Sequence, residues 1–138
     1  MVVNKKILLE YFLKWRDLYF TDFLPVPKFV LTNHFNKIAR FECILDPYNN
    51  NSMSDETIFF SKQFDYTEKQ LDELMCHEMI HYYLCKSKID LKCSHGECFM
   101  KMANIINEKF NLNIDEYVYG LTKKKGYSKF HNFFSFLE

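Results

Sequence analysis

Apolar positions along the chain follow two kinds of spacing, and the switches between them mark out the elements. From about Lys5 to Phe20, the residues Ile7, Leu8, Tyr11, Phe12, Trp15, Leu18 and Tyr19 recur at helical intervals, with Asn4 placed to cap the first turn. Pro25 and Pro27 stop any helix that reaches them. The pattern then becomes β-like. Phe29 to Thr32 and Ile38 to Leu45 are rich in β-branched and aromatic residues, and the turn-forming stretch Asn33-His34-Phe35-Asn36-Lys37 between them predicts a hairpin. A loop over Asp46 to Ser52 leads to a third strand, Thr57 to Ser61. The expected sheet is small, three-stranded and of antiparallel type.

Helical spacing returns after Thr67, which with Gln70 has the pattern of a capping box, and runs through Leu71, Leu74, Met75, Met79, Tyr82 and Leu84 to about Cys85. The second half of this helix is apolar nearly all round, which predicts burial on several sides. Beyond a polar connection from Lys86 to Lys92, Ser94 and Glu97 have the pattern of a second box. They predict a helix from His95 to about Phe110 with the stripe Phe99, Met102, Ala103, Ile106 and Phe110. After Asn111 the signal weakens. Tyr117, Val118 and Tyr119 suggest a short strand; Gly120 and Gly126 bracket a polar loop with Lys123, Lys124 and Lys125; Phe130, Phe133, Phe134 and Leu137 have the spacing of a last short helix. With no repeat or linker, the expectation is a single α+β domain over 1–138, with a core of about 5–110 and an aromatic, lysine-bearing tail, 111–138.

Composition narrows the class. At 138 residues, 48% hydrophobic and 18% aromatic, the chain has enough apolar surface for a core without disulfides, which excludes a disordered polypeptide. Acidic and basic residues balance at 18 each, so no global field recruits nucleic acid or an anionic membrane. The five cysteines, Cys43, Cys76, Cys85, Cys93 and Cys98, are odd in number and irregularly spaced, which points to free thiols in a reducing compartment. The apolar run Ile7 to Leu13 is interrupted by Glu10 and followed by Lys14 and Arg16, unlike a signal peptide or a membrane span. These features predict a cytoplasmic protein with no membrane partner.

The candidate chemistry lies in the buried half of the second helix, at His77-Glu78-Met79-Ile80-His81. Four residues of α-helix turn through about 400°, so His77 and His81 stack on one face, where two imidazoles can share a metal ion with Glu78 beside them. A zinc hydrolase needs that set: neutral nitrogens to hold the ion and a carboxylate to take a proton from water. Burying these polar groups without a partner is costly, and a metal supplies one. A catalytic zinc takes a third protein ligand. The candidates are His95, Glu97, Cys93 and Cys98; His95 is preferred because it sits four residues before Phe99, on the core-facing stripe. A rival arrangement puts a structural zinc on Cys93, His95 and Cys98. Cys43, Cys76 and Cys85 read as core thiols, and His34 and His131 as surface residues.

The pentad, a spacer, His95-Gly96-Glu97-Cys98-Phe99 and a helix ending in Ile105-Ile106-Asn107 together resemble the SprT-like (Spartan-type) zinc metallopeptidase family, over about Lys5 to Phe110. The resemblance implies a minimal zincin-like metalloprotease core, in which a leading helix, a small sheet and the H-E-x-x-H helix pack with a second ligand-bearing helix. It implies one catalytic zinc ion on His77, His81 and His95, with Glu78 as general base and a protein or peptide as substrate. Many members continue into a zinc ribbon with paired cysteines, whereas no cysteine follows Cys98 in this sequence. The Spartan branch digests proteins crosslinked to DNA through separate DNA-binding elements. The DNA-facing candidates here are Lys123, Lys124, Lys125 and Lys129, and a short lysine run reads first as a solvated loop.

The expected function is therefore zinc-dependent peptide hydrolysis, with Tyr117 and Tyr119 as candidate oxyanion donors. The alternative is a non-catalytic, zinc-stabilised binding module, DNA-associated, with a closed four-ligand site that includes Cys98.

Overall fold

The computed structural model describes residues 1–118, 120–124 and 135–136. Helix α1, Lys5–Trp15, begins where expected: the Asn4 side chain accepts a hydrogen bond from the Ile7 amide at 2.8 Å. It buries Leu8, Phe12 and Trp15, then widens into a π turn over Arg16–Phe20. The Trp15 indole N–H and the Lys14 ammonium both donate to the Asp72 carboxylate, at 2.8 and 2.7 Å. These bonds tie α1 to the next helix.

The sheet contains β1, Lys28–Thr32, β2, Ala39–Asp46, and β3, Ser52–Ser61, in the order β1-β3-β2. The expected pairing of β1 with β2 does not form. Strand β3 lies between them, parallel to β1 from Lys28 opposite Thr57 to Thr32 opposite Ser61, and antiparallel to β2. The sheet is thus mixed. The hairpin is β2–β3, whose tight turn places Asn50 and Asn51 at positive φ (53° and 54°), a region asparagine tolerates well. β3 also starts earlier than expected. It contributes the fully buried Ile58 and Phe60, and the central place covers such a strand best.

Helix α2, Glu68–Lys86, opens with the expected capping box: the Gln70 amide donates to Thr67 Oγ1 at 3.1 Å and the Thr67 amide to Gln70 Oε1 at 2.9 Å. It packs against α1, β2 and the third helix, so every residue from Leu74 to Tyr82 is buried. Tyr82 fixes its position, stacking on Phe41 of β2 at 4.9 Å between ring centroids and donating to the Pro25 carbonyl at 2.8 Å. Helix α3, Glu97–Phe110, buries Phe99, Ala103 and Ile106 and ends at Asn111 in the left-handed region (φ 55°).

The chain then turns back over the helices, and Leu112, Ile114, Val118 and Leu121 are buried. Strand β5, Tyr117–Val118, occupies the predicted short strand and pairs with β7, Ser135–Phe136. Those last two residues are therefore extended, not part of the expected final helix, because their backbone bonds go to β5; Phe130, Phe133, Phe134 and Leu137 lie outside the described residues. Within the predicted polar loop, β6, Thr122–Lys123, pairs with β4, Phe64–Asp65, and Lys123 sits over the Phe35 ring. Lys125, Gly126, Lys129 and His131 also lie outside the described residues. Among the described residues no helix is long and apolar enough to cross a membrane.

Candidate metal centre

His77 and His81 stand one turn apart on the buried face of α2. His77 and Glu78 are fully inaccessible, and His81 is 1% exposed. His81 Nε2 lies 3.2 Å from His77 Nε2, and a third imidazole nitrogen closes the triangle: His95 Nε2 is 3.0 Å from His77 Nε2 and 3.2 Å from His81 Nε2. The Phe99 ring packs against all three imidazoles at 4.7–5.0 Å between centroids. Glu78 Oε2 lies 4.0 Å from His77 Nε2.

His95 reaches this triangle by a different route from the one its spacing suggested. The expected capping box at Ser94 and Glu97 is absent, and α3 begins at Glu97 after Gly96 with no side-chain cap. The competing partner is Asp90. Its carboxylate accepts from the Lys92 amide at 2.9 Å, the Ser94 amide at 2.9 Å and the Ser94 hydroxyl at 2.7 Å, so the hydroxyl meant for the helix is held by a charged acceptor. His95 therefore lies in the connecting loop, just ahead of the stripe.

The outer nitrogens of two imidazoles are also engaged. His77 Nδ1 is 2.9 Å from the Asp115 carbonyl, which can only accept, so Nδ1 carries the hydrogen and Nε2 presents a lone pair. His95 Nδ1 faces the Glu116 carboxylate at 3.7 Å. His81 Nδ1 is buried and has no hydrogen-bond partner among the described residues. Burial, reinforced by the neighbouring His81 and His95, pulls the His77 pKa far below its usual value; burial and His95 bring His81 down to about 3; burial also lowers His95. All three are thus neutral near pH 7. Three neutral imidazoles that bring their Nε2 atoms within 3.0–3.2 Å of one another can share one cation, since ligands about 2.0–2.1 Å from a tetrahedral ion lie about 3.3 Å apart. The donor set fits a metal ion.

Among the described residues the metal-capable group consists of His77, His81 and His95 alone. The structure thus brings together the histidines preferred from sequence and leaves the other candidates out. Glu97 and Cys98 are exposed in the first turn of α3, and Cys93 is half-buried, its thiol pushed up to about 12 mainly by burial with help from Glu78. Cys76 and Cys85 are buried as expected, while Cys43 is half-buried with its sulfur 3.8 Å from that of Cys85. His34 is exposed. Tyr117 follows Glu116 on β5, and Tyr119 lies outside the described residues. Asp115 and Glu116 were not foreseen from sequence. Asn111 signalled a helix stop, but not where the returning chain would go.

A mixed sheet packed against α1 and α2, with α3 on α2 and the H-E-x-x-H helix supplying two of three converging imidazoles, defines a small α+β core of the zincin-like kind. The chain belongs to the SprT-like family, whose model matches residues 8–118, from α1 through the Asp115–Glu116 return. Comparison with curated proteins and with solved structures gives no match. The family is consistent with a metallopeptidase-like domain.

Proposed function

We propose that this protein is a zinc-dependent metallopeptidase that hydrolyses peptide bonds in protein or peptide substrates. The observation that carries the reading is the triangle of neutral imidazole nitrogens, 3.0–3.2 Å apart, with the buried Glu78 carboxylate at its edge. His77, His81 and His95 would hold the ion, and with no fourth donor in the group among the described residues a position would be left for water. Zinc bound there supplies a Lewis acid that polarises the scissile carbonyl and lowers the pKa of a bound water toward about 7. Glu78 acts as general base. Its Oε2, 4.0 Å from His77 Nε2, stands beside the triangle, where it would take a proton from a water in the open position and then deliver it to the departing amine. The packed walls of α2 and Phe99 keep bulk water from the inner face, which strengthens each charge interaction there.

Glu78→Gln tests this reading, because it keeps the shape of the side chain and removes the base. Cleavage of an unfolded protein in the presence of zinc is expected to fall by about 100-fold or more, with zinc stoichiometry unchanged. Undiminished cleavage by this variant, or a wild-type protein that takes up no zinc, sinks the proposal.

A further inference from the structure

We infer that Asn107 and Glu73 are positioning residues for the three-histidine centre, clasping the return 113–116 so that it faces the outer nitrogens of His77 and His95. The inference rests on the reading above that these histidines hold a metal.

The clasp begins where α3 ends. Asn111 turns the chain in the left-handed region, and Leu112 and Ile114 bury their side chains. Asn107, on the last turn of α3, then grips both backbone groups of one residue. Its Oδ1 accepts from the Ile114 amide at 2.7 Å, and its Nδ2 donates to the Ile114 carbonyl at 2.9 Å. A primary amide can do this because it offers a donor and an acceptor side by side, as a neighbouring strand would. From the other side Glu73, one helical turn before His77 on α2, accepts from the Asn113 amide. The return is thereby fixed to both long helices at consecutive residues, Asn113 and Ile114.

The next two residues meet the metal centre. The Asp115 carbonyl reaches His77 Nδ1 at 2.9 Å, and the Glu116 carboxylate lies 3.7 Å from His95 Nδ1. The first contact sets the tautomer: with the hydrogen held on Nδ1, Nε2 keeps the lone pair a metal needs. The second leaves His95 facing a negative charge, which favours ligation of a cation by the opposite nitrogen. Among the described residues neither Asn107 nor Glu73 hydrogen-bonds to an imidazole, whereas the backbone they hold does.

The test uses the full chain with histidine nitrogens labelled, first without metal and then in a zinc competition against a chromophoric chelator. In the metal-free wild type, His77 is expected as the Nδ1–H tautomer. Asn107→Ala and Glu73→Ala should each mix the His77 tautomers and weaken zinc binding about 10–100-fold, while Glu73→Gln, which keeps an acceptor for the Asn113 amide, restores both readouts. If Asn107→Ala does not fold without metal, Glu73→Ala and its Gln rescue carry the test. Wild-type tautomer and zinc affinity in both alanine variants overturn the clasp, as does a loss of affinity with the tautomer unchanged, which marks a merely structural role. A wild type that binds no zinc defeats the metal reading, and the tautomer comparison still decides the clasp.

Discussion

Two of the three imidazoles come from the middle of a helix covered on every side, and the third comes from a loop whose neighbours are mostly exposed. The α2 side is positioned by packing. Met75, Cys76, Met79 and Ile80 are all fully buried around His77 and His81, so these rings cannot shift without disturbing the core. The loop side is positioned by polar bonds: Asp90 gathers three donors, and Gly96, Glu97 and Cys98 beyond His95 face solvent. The difference separates stability from function. The helical pair belongs to the folding core, whereas the loop completes the centre at little cost to the rest of the fold.

The sharpest way to break that contrast is to remove one ligand from each side. His81→Ala and His95→Ala should both abolish zinc binding in equilibrium dialysis, the largest effect expected of these changes. Without metal they should diverge. Truncating the buried His81 opens a cavity against Phe99, offset in part by loss of a polar atom with no partner, for a net cost of about 1–3 kcal/mol. His95→Ala should stay below about 1 kcal/mol. Equal losses in urea unfolding of the two metal-free variants would show that the loop is as much a part of the core as the helix.

A smaller effect is expected from Asp90. Asp90→Ala frees the Lys92 and Ser94 amides and the Ser94 hydroxyl; with these partners largely exposed, the cost is about 1–2 kcal/mol, with zinc affinity weakened about tenfold. Burial alone raises the Asp90 pKa, but the hydrogen bonds from Ser94 and Lys92 outweigh it and hold the folded-state value below the usual one. The tie is therefore fully present above the unfolded value of about 3.9 and is lost as pH falls through the lower folded value. Thermal unfolding of metal-free wild type and Asp90→Asn, compared between pH 7 and pH 2, should show a gap that closes below about pH 4. A gap that is unchanged at pH 2 removes Asp90 as the ionised anchor of the loop.

The same contrast explains what could be read from the chain. His77, Glu78 and His81 were legible because a helix relates residues three and four apart, and Thr67 and Gln70 fix its start locally. His95 was placed at the centre by a helical stripe that does not extend to it. Ser94 and Glu97 had the right spacing for a cap, and only the approach of Asp90 within the folded loop decided otherwise. The pairing of β1 with β3 was hidden for a related reason, since neighbours in sequence suggested a hairpin and the choice of central strand depends on what the whole sheet must cover. The Asp115 carbonyl leaves no trace at all in sequence, because every residue carries one.

The smallest effect should come from Cys98, three residues beyond His95 and on the other side of the question. Its side chain is exposed in the first turn of α3, outside the group formed by the three histidines. Cys98→Ser should therefore leave zinc stoichiometry unchanged, affinity within about twofold, and unfolding within about 0.5 kcal/mol. A tenfold loss of affinity would mean that the loop turns further inward on binding metal and closes the centre with a fourth ligand. A closed site has no position for water, and the chemistry assigned to Glu78 would lose its reactant. Serine in place of this one exposed thiol thus tests whether the loop only completes the centre or also seals it.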